Sequence, residues 1–302
     1  MKIRHTLLAS SLALALLNLA ACNSAPQAAA PPAVQQTAAA QAASAAYDFD
    51  MDLFHPVAAH HGMVATEQAL ASQIGLNILK GGGNAVDAAV AIGFALAVAL
   101  PNAGNLGGGG FMMVYDAKTG KSVALDFREM APRAATRDMY LDAKGNVVDG
   151  KSLYTHYAVG VPGTVAGMEH ALKTWGTMPL AKVVAPAAAL AEQGYPVSET
   201  LAKVLLQTKK TMGQWPATQA IFWKNGEPLK AGDLLVQKDL ATSMRLIGSE
   251  GAKAFYEGAI ATRIAAEMAS HKGALTLEDL HSYKVVEREP TRGTYRGYEI
   301  VT

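Results

Sequence analysis

Cysteine is nearly missing from this chain: Cys22 is the only one in 302 residues. No intrachain disulfide can form, and no cysteine-rich zinc site exists. Charge is sparse too, at 17% of residues, and its signs nearly cancel to a formal net charge of +1. Without an N-terminal leader that holds Lys2 and Arg4, 24 basic residues face 25 acidic ones. Such a balance offers no basic face to a phosphate backbone, which excludes the nucleic-acid-binding class. Long apolar runs are lacking beyond the leader. The longest, Ala88 to Leu100, has 13 residues, short of the roughly 20 needed to span a bilayer, and fits a buried core helix. Hydrophobic residues, by contrast, make up 50% of the chain, the profile of a globular protein with a large core.

The lone cysteine ends an export leader. Lys2 and Arg4 form a positive n-region, Leu7 to Leu17 an apolar h-region, and Leu19-Ala20-Ala21-Cys22 a small-residue cleavage site. The segment resembles the lipobox of bacterial lipoproteins, which implies a signal peptide over residues 1–21 and lipidation of Cys22. Asn23, in place of Asp at the next position, points by the lipoprotein sorting rule to the outer membrane, facing the periplasm. Residues 22–54 are rich in Ala, Gln and Pro and have too little bulky apolar surface to offset the entropy of ordering, so they read as a flexible tether. The folded domain is expected over 55–302.

Chemistry concentrates between Asn105 and Pro132. The loop Asn105-Leu106-Gly107-Gly108-Gly109-Gly110 precedes a hairpin of Phe111–Tyr115 and Ser122–Phe127, which ends in Arg128-Glu129-Met130-Ala131-Pro132. Consecutive glycines suit backbone that turns with positive φ or approaches another group closely. A planar guanidinium at the end of an apolar strand suits bidentate capture of a carboxylate, and Asp126 and Glu129 are placed to orient it. Upstream, a short strand is expected at Gly62–Thr66 and a helix at Glu67–Lys80 with Leu70, Ile74 and Ile78 on its inner face. Gly81–Gly83 supplies a left-handed cap, and Asn84 with Asp87 caps an all-round apolar helix, Ala85–Ala99. Downstream, Arg133–Lys151 is a polar excursion. Helices are expected over Val165–Trp175, Leu180–Glu192, from Ser198, and near 239–247, 251–256 and 260–268. A hairpin turns at Asn225-Gly226, a capping box opens at Thr276, and 293–302 reads as a strand with nothing following it, as in a truncated protein.

Other motifs fail on context. Gly145 to Ser152 matches the P-loop pattern letter for letter, yet no apolar strand precedes it and no helical periodicity follows, so nucleotide binding is not expected. The glycine run 107–110 does not satisfy G-x-G-x-x-G, because position 112 is Met, and no G-x-S-x-G elbow exists. The eight histidines form no H-E-x-x-H or comparable spacing, so neither a metal nor a cofactor is expected.

Several segments together resemble the γ-glutamyltransferase (glutathione hydrolase) family: Gly82–Val90, Gly104–Met112, Asp126–Pro132, Pro162–Gly167 and Tyr295–Tyr298, in family order from about Gly62 to the last residue. The resemblance implies a mixed α/β (α+β) domain of an N-terminal-nucleophile hydrolase, a four-layer αββα sandwich built by two subunits cut from one precursor. In such enzymes the small subunit's N-terminal threonine attacks the γ-glutamyl carbonyl with its own amine as base. The acyl group then passes to water or to an acceptor amino acid or peptide, with glutathione and other γ-glutamyl compounds as donors. By the same resemblance Arg128 binds the α-carboxylate of the γ-glutamyl group. The nucleophile is expected beyond Thr302, which stands at the wrong end to serve, so the chain corresponds to part of the large subunit and has no catalytic residue of its own. Rival readings are a glutaryl or cephalosporin acylase, a capsule-anchoring transpeptidase, or a non-catalytic lipid-anchored fragment.

Overall fold

A computed structural model of the chain describes residues 57–302. The leader, Cys22 and the tether lie outside the described residues. Gly62–Thr66 is not a strand, because no ladder partner exists for it among the described residues. Thr66 instead takes the backbone N–H of Gln68 on its hydroxyl at 3.0 Å, and Gln68 caps helix α1 (Ala69–Lys80) by accepting from Leu70 and Ala71. Of the expected row, Ile78 is buried and Ile74 packs against the core, but Leu70 is exposed, and Ala71 and Gly75 complete the inner face of α1. Gly75 accounts for the offset: a Cβ there would meet the Ile92 side chain at 2.4 Å, so that side chain fills the space left by the missing one. The helix ends in a left-handed cap at Gly82 (φ 88°), with Gly83 donating to the Ile78 carbonyl and Gly82 to Leu79.

Helix α2 (Ala85–Ala99) begins at once. The Asn84 side chain accepts from the amides of Val86 and Asp87, while Asp87 accepts from the Asn84 amide at 2.7 Å. Being apolar all round, α2 forms the centre of the core, with Val90, Phe94 and Val98 almost fully buried. Its last turn would leave orphan carbonyls. That of Val98 accepts from the Tyr195 hydroxyl at 2.8 Å and the Gln237 amide at 2.9 Å.

Strands β1 (Phe111–Asp116) and β2 (Lys121–Asp126) form the expected hairpin, Phe111 opposite Asp126. A short helix α3 (Lys151–Tyr154) and a 3₁₀ turn (His156–Ala158) lead to α4 (Thr164–Trp175), which passes beneath β2 so closely that a Cβ on Gly167 would enter the Phe127 ring. Helix α5 (Leu180–Gln193) packs against α2. The segment after it holds β3 (Tyr195–Pro196), α6 (Glu199–Gln207, capped by Ser198), α7 (Lys209–Met212), α8 (Pro216–Phe222), the hairpin β4 (Trp223–Lys224) and β5 (Glu227–Pro228) around Asn225-Gly226, and β6 (Leu234–Leu235), paired with β3. Then follow α9 (Lys238–Glu250), packed on α5, α10 (Lys253–Tyr256), α11 (Ala259–Ser270) and α12 (Leu277–Ser282), the last opened by the Thr276–Asp279 capping box.

The chain returns as β7 (Val286–Arg288), which joins β2 to give a three-stranded sheet of order β1-β2-β7. It ends in a hairpin, β8 (Arg292–Tyr295) with β9 (Tyr298–Val301). The terminal strand therefore has a partner, turned by Arg296 and Gly297 at positive φ. The result is an α+β arrangement in which the helices cover one face of the sheet. On the other face Phe111, Met113 and Tyr115 point outward and are exposed. No helix of the described residues is long and apolar enough to cross a membrane.

Candidate substrate-binding site

The glycine loop and the Arg128 segment meet directly. None of the glycines 107–110 has positive φ. A Cβ on Gly109, however, would lie 2.4 Å from the Phe127 carbonyl and 2.8 Å from the Glu129 amide. Close backbone approach, rather than an unusual turn, is what requires glycine there. Gly110 and Phe127 exchange backbone hydrogen bonds, Gly163 and Thr164 donate to the Gly108 carbonyl, and Met130 pairs with Val161. The strand that delivers Arg128 is thus held on both sides by main chain.

Around Arg128 the two carboxylates orient, as their positions imply. Asp126 accepts the Arg128 backbone N–H at 3.0 Å and the Arg288 guanidinium at 2.8 Å. The Arg128 amide, helped by Arg288, holds the Asp126 carboxyl below its usual range against the effect of burial. Glu129 accepts from Arg128 Nε at 3.0 Å. That bond engages Nε and leaves the Nη groups without an acceptor among the described residues. Tyr283 donates to the Arg128 carbonyl at 3.0 Å, and burial, followed by the nearby Asp126 and Glu129 charges, pushes its phenol up to about 12. Its ring stacks on Tyr256, whose hydroxyl donates to the Pro162 carbonyl at 2.9 Å.

Arg128 opens into a cavity of about 470 Å³, walled by Glu129–Pro132 on one side and by Met139, Tyr140 and Tyr157 on another. The polar excursion after Pro132 therefore builds the far wall. Arg128 is the only cation of the lining among the described residues. An arginine fork in a concave site suits a small carboxylate.

Several site residues were invisible to sequence spacing. Tyr283, Tyr256 and Arg288 reach Arg128 and its neighbours across long separations, and no local pattern marked them. The P-loop look-alike has no such geometry: Gly145 and Gly150 are turn residues at positive φ around an isolated Leu141–Val147 bridge. One further cluster was not anticipated from the sequence. His156, Glu267 and His271 bring ligating atoms within 4.8 Å of one another. The Glu267–His271 spacing of four on a helix was the available signal.

Comparison with solved structures fixes the class first. The chain superimposes on γ-glutamyltranspeptidase of Helicobacter pylori with a TM-score of 0.80 and 47% identity, covering 82% of this chain and 71% of that one. It also matches the Bacillus anthracis transpeptidase CapD, with a TM-score of 0.67 and 34% identity over 81% of this chain and 76% of that one. These are α+β proteins of the N-terminal-nucleophile hydrolase class. Residues 71–302 match the gamma-glutamyltranspeptidase family, and the chain belongs to it. The Escherichia coli K12 glutathione hydrolase proenzyme is 54% identical over 256 residues, 84% of this chain and 44% of that protein. The chain thus spans less than half the length of this curated relative.

Proposed function

We propose that this chain is the N-terminal part of the large subunit of a γ-glutamyltransferase, or glutathione hydrolase, and that Arg128 holds the α-carboxylate of the γ-glutamyl donor. The observation that carries the reading is the guanidinium itself: bonded through Nε to Glu129, Arg128 lines a cavity that has no other cation among the described residues. A carboxylate held there places the γ-carbonyl a fixed distance away, which is the positioning an acyl transfer needs. The threonine nucleophile, its oxyanion donors and the groups for the α-amine come from the small subunit of the same precursor. The outward row Phe111, Met113 and Tyr115 supports an apolar partner surface of that kind. Acceptors are water, amino acids and peptides. The leader pattern and Cys22 support lipid anchoring at the periplasmic side of the outer membrane, ahead of a tether to residue 54 and a domain from 55.

In the full-length enzyme Arg128→Lys keeps the charge and loses the fork. A charge-assisted pair contributes about 2 kcal/mol, so KM for glutathione should rise on the order of 30-fold, with kcat less affected. An unchanged KM would remove Arg128 from the site. A glutaryl amide carries the same terminal carboxylate, so Arg128 serves an acylase equally well. Preference for a γ-glutamyl anilide over a glutaryl amide separates the two readings.

A further inference from the structure

We propose that His156, Glu267 and His271 form a binding site for a late first-row divalent cation of the zinc class, on the surface where the 3₁₀ turn meets α11. This assignment does not rest on the γ-glutamyl reading.

Glu267 stands in the last turn of α11 and His271 is its C-cap, four residues on, which brings the two side chains together. His271 Nδ1 is 3.2 Å from the Glu267 carboxylate, and His156 Nε2 is 3.6 Å from the same oxygen. The imidazoles stack with ring centroids 4.3 Å apart, and Trp215 lies edge-on to both, at 5.3 and 6.1 Å. His156 is the fixed member. Its side chain is only 16% exposed, and the chain at Gly273 passes so near that a Cβ there would sit 3.0 Å from the His156 Cβ. His271 and Glu267 are the exposed members, at 43% and 61% exposure.

A tetrahedral zinc ion with bonds of about 2.0–2.1 Å separates its ligand atoms by about 3.4 Å. The three atoms here span at most 4.8 Å. Closing them requires His271 to swing out of the stack so that its nitrogen, and not its ring face, meets the ion. Its exposure permits that rotation while His156 stays in place. Two imidazole nitrogens and one carboxylate oxygen favour zinc, nickel, cobalt or copper over calcium or magnesium, which take oxygen ligands. Three protein ligands at a solvent-facing position leave the fourth to water. Bound metal would clamp the 3₁₀ turn to α11, and Tyr157 of that turn lines the Arg128 cavity.

The test uses the untagged full-length protein, stripped with chelator and titrated with Zn²⁺ against a chromophoric competitor near neutral pH, with melting followed in parallel. One equivalent should bind saturably, and the melting temperature should rise with it. His271→Ala and Glu267→Gln should each weaken binding about tenfold or more and abolish the melting shift. A His60→Ala/His61→Ala double variant should leave the binding constant unchanged. His156→Ala removes a part-buried ring, so the exposed His271 variant carries the test if that protein fails to fold. Absence of saturable binding overturns the site. So does binding that survives His271→Ala intact.

Discussion

At the scale of the residue, Gly109 and Arg128 are one device. The backbone that carries Arg128 is packed directly against Gly109, with no room for a Cβ between them. Gly109→Ala should therefore act twice. Overpacking of this kind costs about 1–3 kcal/mol, read as a lower melting temperature. The displaced Arg128 segment should also raise KM for glutathione more than it lowers kcat. A variant that loses stability but keeps its KM would show that loop and guanidinium are independent. Tyr283 supports the same segment from the other side through the Arg128 carbonyl, and its raised pKa keeps it a donor throughout the neutral range.

At the scale of elements, the junction of α1 and α2 sets the core. Asp87 is fully buried, yet it accepts from the Asn84 amide, the Thr177 amide and hydroxyl, and the Met178 amide, at 2.6 to 3.0 Å. Burial works against its charge, but the Thr177 hydroxyl and the three amides hold its pKa below 3.8. Asp87→Ala strands these donors and should destabilise the fold by about 3 kcal/mol or more at neutral pH. Because the folded pKa is the lower one, this stabilisation is fully present above the unfolded value of about 3.9 and is lost as pH falls below it. Melting temperature against pH should therefore show a steeper acid limb in the wild type than in Asp87→Ala. Most of this element level was legible in the chain, because caps, glycine stops and the period of α2 are local signals: Asn84, Ser198, Thr276 and Asn225-Gly226 all act where spacing placed them. The strand expected at Gly62–Thr66 and the missed β7 share a cause. Strand formation is decided by a distant partner, and β7 contacts β2 across some 160 residues of chain. The support of Arg128 by Tyr283 and Arg288 and the assembly of His156 with Glu267 were hidden for the same reason, since tertiary packing alone creates them.

At the scale of the whole molecule, the proposed lipidation of Cys22 would put the folded unit at the end of a lipid anchor. Cys22→Ser should move the protein from the membrane fraction to the soluble periplasm while leaving the specific activity of the complete enzyme unchanged. Continued sedimentation with membranes would argue for another mode of attachment. The outward face of the sheet has a consequence of a different kind. β1 is an edge strand among the described residues, so one row of its amides and carbonyls is unpaired beside exposed Phe111, Met113 and Tyr115. Wherever this face goes uncovered, two molecules can add edge to edge at a rate that grows with the square of concentration, whereas covering by the proposed small-subunit segment of the same precursor is first order, so the fraction covered per unit time does not depend on concentration. Dilution at the moment of folding therefore decides between the productive assembly and the aggregate.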